Sequence, residues 1–410
     1  MVNLKKLVIK INEIDFPVVF KNNFPDNYIN DVEGWGLSEE LLHTKLHDGA
    51  YKLLTLDLDF GNKCRLSCPH CFKSNKNIDA SKSLSFDEVI RLLKDAKKLG
   101  LKYVKILGAG EPFDNPDFLD FLIKTYDLGI KVAVFTKGYV IGSNKLTKSN
   151  FHSYGIQNSK ELVNKLYELN VSILLSFNSF DDGIQGEFVG IKSPKRLNDY
   201  ISSRNRALKL LIDRGFNKFI EGKATKLALI VAPIKPSNIN EVFDIYKFGR
   251  IRNIYVAVCP TTYSGLGKEE YKRQNETINF EEFINRLKKL YINIYKWNIN
   301  NNLMTLDTFI KEGVSLYAGA HPCNQVAGGM YITLNGKVLR CPGRDNKSHT
   351  VINDVREKDL KDIWINSKNY DLAKDNKFNY HCIARDKKFL NEHNFYTDIY
   401  NAVIKHFRHG

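Results

Sequence analysis

The stretch Cys64-Arg65-Leu66-Ser67-Cys68-Pro69-His70-Cys71 places three thiols on one short loop, directly after the strand-like run Leu53–Phe60. Three cysteines so spaced can converge on one centre without long side-chain excursions, and soft thiolates suit zinc or an iron–sulfur cluster. A structural zinc site needs a fourth protein ligand, for which His70 is the local candidate, although its neighbour Cys71 makes placing both on one ion awkward. On a four-iron cluster the same three cysteines leave one iron open to another molecule.

Outward from this loop the chain repeats one pattern as far as about Thr262: a short apolar run, a loop, then a helix-like run. The strand candidates are Leu53–Phe60, Tyr103–Leu107, Lys131–Phe135, Val171–Phe177, Lys226–Val231 and Asn253–Val258, each short and rich in β-branched or apolar residues. Between them, Ser85 and Glu88 form a capping box for a helix that Gly100 closes, with Leu84 and Val89 as its hydrophobic staple. Further helices are expected over Asp117–Tyr126, Lys160–Leu169, Arg196–Asp213 and Glu241–Phe248. Strands alternating with helices predict an α/β fold with a parallel sheet and right-handed crossovers. Either an open doubly wound sheet or an incomplete barrel satisfies the pattern, and in both the chemistry belongs at the C-terminal strand ends.

Beyond about residue 275 the pattern changes. A helix over Phe280–Trp297 leads to Cys323, then to a hairpin in which Asn335-Gly336, a pair suited to a type I′ turn, separates Met330–Leu334 from Lys337–Cys341. Helices are also expected at Leu360–Ala373 and in the final segment, giving a small α+β module.

The spacing of Cys64, Cys68 and Cys71 resembles that of the radical SAM superfamily, with His70 where the family usually carries an aromatic residue beside the adenine of S-adenosylmethionine (SAM). Gly108-Ala109-Gly110-Glu111-Pro112, at the next strand end, resembles the family's glycine-rich segment that meets the SAM amino group. Glycines let a backbone approach closely, and Glu111 offers an ammonium a negative partner; a tight turn is the plainer alternative. Ser176 and Asn178 resemble the ribose-binding position after the fourth strand. Asn238 resembles a polar position near the adenosine, and it could equally cap a helix. Thr136-Lys137-Gly138 partly matches a common third-strand ending, with Lys137 where Asn is more frequent.

The resemblance implies a partial (β/α)6 TIM-like barrel over residues 53–275, after an N-terminal extension at 1–52. It also implies a [4Fe-4S] cluster on Cys64, Cys68 and Cys71 whose open iron binds SAM, reductive cleavage to a 5′-deoxyadenosyl radical, and hydrogen abstraction from a substrate. A one-electron donor such as flavodoxin or ferredoxin is implied with it.

Cys323, Cys341 and the hairpin glycine Gly336 resemble the start of the auxiliary-cluster extensions called SPASM or twitch domains, assigned to residues 276–410. Cys382 would be the third ligand of a second [4Fe-4S] cluster, of the shorter twitch type. Its fourth ligand is open among Cys259, His381, Asp386 and a substrate; three unrelated buried thiols are the alternative. Cys259, just after the sixth strand, lies where some radical SAM epimerases place a hydrogen-atom donor, and a core thiol is the bland reading.

Composition excludes several classes. Apolar residues are 43% and charged residues 26% of 410, ordinary for a globular chain. No apolar stretch nears the ~18 residues of a membrane span, and Lys10 interrupts any signal-peptide core after Lys5 and Lys6, so a cytoplasmic location is the expectation. The +15 charge comes without a basic run or an interleaved aromatic stripe, so nucleic acid is not expected as a partner. Along the first strand Asp57 and Asp59 alternate with leucines, giving either a polar barrel interior or a solvated face. The substrate expected is a small molecule or a peptide, to be oxidised, crosslinked or epimerised; a non-catalytic metal- or RNA-binding protein is the reading from another class.

Overall fold

Six parallel strands lie side by side in the order in which the chain makes them: β1 (Thr55–Asp59), β2 (Tyr103–Gly108), β3 (Lys131–Thr136), β4 (Ser172–Ser176), β5 (Leu227–Val231) and β6 (Tyr255–Val258). Each pairs with its predecessor in parallel register. The computed structural model describes residues 16–21, 23–71, 80–261, 264–277, 279–341, 353–366, 390 and 393–408.

A doubly wound sheet reverses its strand order at a switch point; this order never reverses, so successive crossovers stay on one face. Leu56, Leu58, Val104, Ile106, Ile173, Leu175, Leu229 and Val256 accordingly join one large apolar cluster with the helices. The alternate residues Ala133, Leu174, Ala228, Ile230, Tyr255 and Ala257 form a separate cluster on the other face with Trp35, Phe135 and Tyr317. Two faces with two cores are what a curled sheet with helices outside requires. The sheet does not close, because β1 pairs with β7 (Gly329–Ile332) rather than with β6.

β7 runs parallel to β1 and is followed by the antiparallel strands β8 (Lys337–Leu339) and β9 (Asn353–Asp354), so the C-terminal module extends the barrel sheet to nine strands. The hairpin turn departs from the expected type. Gly336 has φ +83°, whereas Asn335 is not among the residues of positive φ, and Thr333 N donates to Lys337 O at 2.9 Å. A three-residue loop ending in a left-handed glycine replaces the two-residue I′ turn.

The helix Phe86–Lys98 starts on the predicted capping box, with Ser85 Oγ accepting from Glu88 N and Glu88 accepting from Ser85 N. The helices Ser159–Glu168, Pro194–Arg214, Ile239–Arg250, Phe280–Asn300 and Phe395–Arg408 lie where periodicity or position predicts them. The helix starting at Leu360 is described as far as Asn366; its expected continuation to Ala373 falls outside the described residues. Asp182–Val189 and Leu266–Thr277 are helices that the repeat pattern does not announce. Part of the N-terminal segment closes the lower end of the barrel: Val32 bridges to Thr225, and Trp35 packs on Phe135 and Tyr317 inside.

Candidate active site

The loop from Gly61 to Cys71 crosses the C-terminal mouth of the barrel and is held from three sides. Against the β2 loop, Gly110 N donates to Gly61 O and Glu111 N to Lys63 O, at 3.0 and 2.8 Å. A Cβ on Gly110 would fall 2.2 Å from Lys63 O, so this glycine is required for the approach of another loop; the sequence suggested the approach of a ligand. From the β3 loop, Tyr139 Oη accepts from Arg65 N and donates to buried Asp114, which also holds Arg65 Nε at 3.4 Å. The third support is the helix Asp182–Val189, where Val189 O accepts from Ser67 N and a Cβ on Gly190 would fall 2.1 Å from Ser67 O.

Cys64 is exposed, and Cys68 and Cys71 are half-buried. Among the described residues no three Cys, His, Asp or Glu side chains converge on a single metal-ion position; on a four-iron cluster each thiolate meets a different iron. His70 is buried and lies edge-on to Phe188 with ring centroids 5.4 Å apart. Burial, reinforced by Lys137 and Lys235, pushes its pKa well below the usual histidine value, so the ring is neutral. Its Nδ1 is buried without a hydrogen-bond partner. A flat neutral ring with an unsatisfied nitrogen, beside an open-sided thiol loop, fits a heteroaromatic ligand such as adenine.

Three of the sequence candidates, Ser176, Asn178 and Asn238, meet with Lys137 in one hydrogen-bonded chain across the mouth. Lys137 Nζ donates to Ser176 Oγ at 2.8 Å, Ser176 Oγ donates to Asn178 Oδ1 at 3.3 Å, and Asn238 Nδ2 donates to Asn178 O at 2.9 Å. Asn238 occupies a helix N-cap position, yet its side chain makes no cap bond there; its Oδ1 accepts from Lys235 N at 2.7 Å. Glu111 is buried, and its two carboxylate oxygens accept from Thr136 Oγ1 and Lys137 N. Burial raises its pKa to about 7, against the lowering effect of those two bonds.

Inside the barrel, Asp57 and Asp59 are buried, so they are not a solvated face. Asp57 lies 3.7 Å from Lys105 Nζ, and Asp59 Oδ2 accepts from Tyr331 Oη at 2.5 Å. Gln325 Oε1 accepts a hydrogen bond from Lys105 Nζ. Cys259 shares the inward parity of Tyr255 and Ala257 and is 1% exposed at the C-terminal end of β6. Over the mouth, Lys235 pairs with Glu270 of the Leu266–Thr277 helix at 2.6 Å, and Leu266 N donates to Cys71 O. The Lys235–Glu270 pair and the Tyr139–Asp114–Arg65 bracket carry no motif of their own in the sequence.

Of the second cysteine set, Cys323 and Cys341 lie at the other end of the barrel. Tyr331 pairs with Leu339, which puts Cys341 opposite Gly329 at the open end of the hairpin; Gly329 in turn pairs with Thr55 at the start of β1. Cys323 precedes the same end. These two cysteines are therefore separated from the first set by about the length of a strand, roughly 16 Å at ~3.3 Å per residue. Cys382, His381 and Asp386 lie outside the described residues.

The family model of the radical SAM superfamily matches residues 58–248, and the SPASM model, an iron–sulfur cluster-binding domain, matches residues 323–386. The chain carries a radical SAM domain followed by a SPASM domain. Its radical SAM core takes a [4Fe-4S] cluster and SAM, and the SPASM match adds auxiliary iron–sulfur binding at the C-terminal end.

Among curated proteins, a probable GTP 3′,8-cyclase of Pyrococcus horikoshii is 27% identical over 134 residues, 32% of this chain and 41% of that protein. A probable GTP 3′,8-cyclase of Methanococcus maripaludis is 31% identical over 80 residues, 19% of this chain and 26% of that protein. The tungsten-containing aldehyde ferredoxin oxidoreductase cofactor-modifying protein of Pyrococcus furiosus is 29% identical over 92 residues, 22% and 26% of the two chains. The matches thus span between 26% and 41% of the length of these relatives. Among solved structures, SuiB of Streptococcus suis bound to its precursor peptide SuiA aligns with TM-score 0.48 and 18% identity, over 83% of this chain and 69% of that one. No described helix is long and apolar enough to cross a membrane.

Proposed function

We propose that this chain is an enzyme that abstracts a hydrogen atom from a polar substrate held inside the barrel, leading to oxidation, crosslinking or epimerisation of a small molecule or peptide. When bound, the cluster and SAM supply the reductively generated 5′-deoxyadenosyl radical that performs this abstraction. The observation that carries the reading is the bracing of the three-cysteine loop over a barrel mouth whose rim carries Glu111, Ser176, Asn178 and Asn238 and whose interior carries Asp57, Asp59 and Cys259.

In this reading Cys64, Cys68 and Cys71 hold the cluster, His70 lies beside the adenine, Ser176 and Asn178 orient the ribose, and Glu111 with the Gly108–Gly110 turn faces the amino group. Asn238 keeps the Asn178 carbonyl in place. Asp59 and Lys105 bind polar groups of the substrate, and Cys259 faces it as a hydrogen-atom donor from within the sheet. The Leu266–Thr277 helix, clamped by Lys235–Glu270, excludes water from the mouth. Cys323, Cys341 and Cys382 hold one auxiliary cluster, and a flavodoxin or ferredoxin delivers the electron. The domains are an extension at 1–52, a core at 53–275 and an auxiliary-cluster domain at 276–410.

Anaerobic reconstitution with iron and sulfide, followed by SAM and dithionite, tests this. Formation of 5′-deoxyadenosine supports it. A chain that takes up zinc in place of an iron–sulfur cluster, or binds iron without cleaving SAM, refutes it in favour of a non-catalytic metal protein.

A further inference from the structure

Lys137 directly follows β3, and its place at the mouth is unusual for a lysine. Its backbone N–H donates to Glu111 and its Nζ donates to Ser176 Oγ, so both ends are fixed while the ammonium lies against a hydroxyl. Among the described residues no carboxylate lies within ion-pair reach of that ammonium. Partial burial works against its charge, yet Cys68, Tyr200, Cys71 and Cys64 together hold its pKa above the ordinary lysine value. The ammonium thus sits on the barrel rim beside the cysteine loop, because Glu111, which accepts from Lys137 N, itself donates its backbone N–H to Lys63 O at 2.8 Å, one residue before Cys64.

Three thiolates outweigh the charge of an iron–sulfur core, and one-electron reduction adds another negative charge in a site of low dielectric. The potential of such a cluster follows its net charge and surroundings. On the reading of Cys64, Cys68 and Cys71 as cluster ligands, we propose that Lys137 is an electrostatic positioning residue: its anchored ammonium is the fixed counter-charge of the cluster loop, favouring both assembly of the anionic cluster and its reduction. At an effective dielectric of ~20, a unit charge still changes a one-electron equilibrium roughly tenfold at ~12 Å.

The test is a dithionite redox titration of the reconstituted full-length chain, without SAM, followed by electron paramagnetic resonance, with iron content measured alongside. Lys137→Gln is expected to lower the reduced-to-oxidised ratio at a given potential about tenfold, a shift of ~59 mV for one electron, and Lys137→Arg to restore it. An unchanged potential in Lys137→Gln at full iron content overturns the proposal. An equal drop in Lys137→Arg overturns it too, since that would report packing and not charge. If Lys137→Gln fails to assemble the cluster, assembly in Lys137→Arg supports the counter-charge role and failure in both overturns it. A wild-type chain that assembles no cluster would instead refute the cluster assignment beneath the proposal.

Discussion

A methyl group on Gly110 would lie 2.2 Å from the carbonyl oxygen of Lys63. The β2 loop and the cysteine loop are thus in backbone contact, with no side chain able to come between them. Gly110→Ala is expected to push Lys63 and the cysteines after it out of place, at a cost of about 1–3 kcal/mol. Iron uptake should fall sharply while the far-ultraviolet circular dichroism stays that of the wild type. Full iron uptake in Gly110→Ala would mean the loop can be placed without this contact.

Glu88 joins the helix Phe86–Lys98 to the C-terminal module, because Arg356 Nε donates to it at 2.7 Å while it still caps Ser85. The Arg356 bonds, then the Ser85 backbone bond, hold its pKa near 2, below the ordinary 4.5. A depressed carboxylate stabilises the fold above its unfolded pKa and loses that contribution as pH falls toward the folded one. Glu88→Gln should therefore be less stable than wild type at neutral pH by about 1 kcal/mol. The two melting curves should converge between pH 4.5 and 2, as read by thermal denaturation.

Iron content divides the cysteines. Replacing Cys64, Cys68 and Cys71 together by Ala should remove about four irons per chain, and replacing Cys323 and Cys341 a separate complement of about four. Cys259→Ala should keep both, because strand parity turns Cys259 into the barrel. Loss of the second complement in Cys259→Ala would make it an auxiliary ligand instead of a donor.

Tyr331→Phe removes the 2.5 Å bond to buried Asp59. A hydrogen bond to a buried carboxylate contributes about 1.5–3 kcal/mol, so urea unfolding of the metal-free chain should shift by that amount. Because β7 meets β1 at this point, the variant should also free the C-terminal module to proteolysis first.

Much of this architecture was legible in the sequence because local chemistry marks it. Ser85 and Glu88 announce a helix start in any context, and each core strand is an apolar run bounded by a turn. The three-cysteine loop is likewise a local signal. The missed parts depend on distant partners. The Tyr139–Asp114–Arg65 bracket joins three loops that only the folded sheet brings together, and Lys235 and Glu270 carry no signature apart from each other. Helices Asp182–Val189 and Leu266–Thr277 fill space over the mouth and do not repeat a period. Asn335-Gly336 predicted a hairpin correctly, but the β7–β8 register, with Ile332 against Val338, leaves three loop residues where the dipeptide alone suggested two.

The parallel pairing of β7 on β1 bears on biosynthesis. The first strand of the core is completed some 270 residues before the strand that covers its outer side. Until then its backbone donors and acceptors stay open, and an uncovered strand edge can pair with another chain. A nascent chain halted before Gly329 would expose that edge, so truncations that end at the core should aggregate where the longer polypeptide does not. Chaperone demand during translation should peak in the same interval.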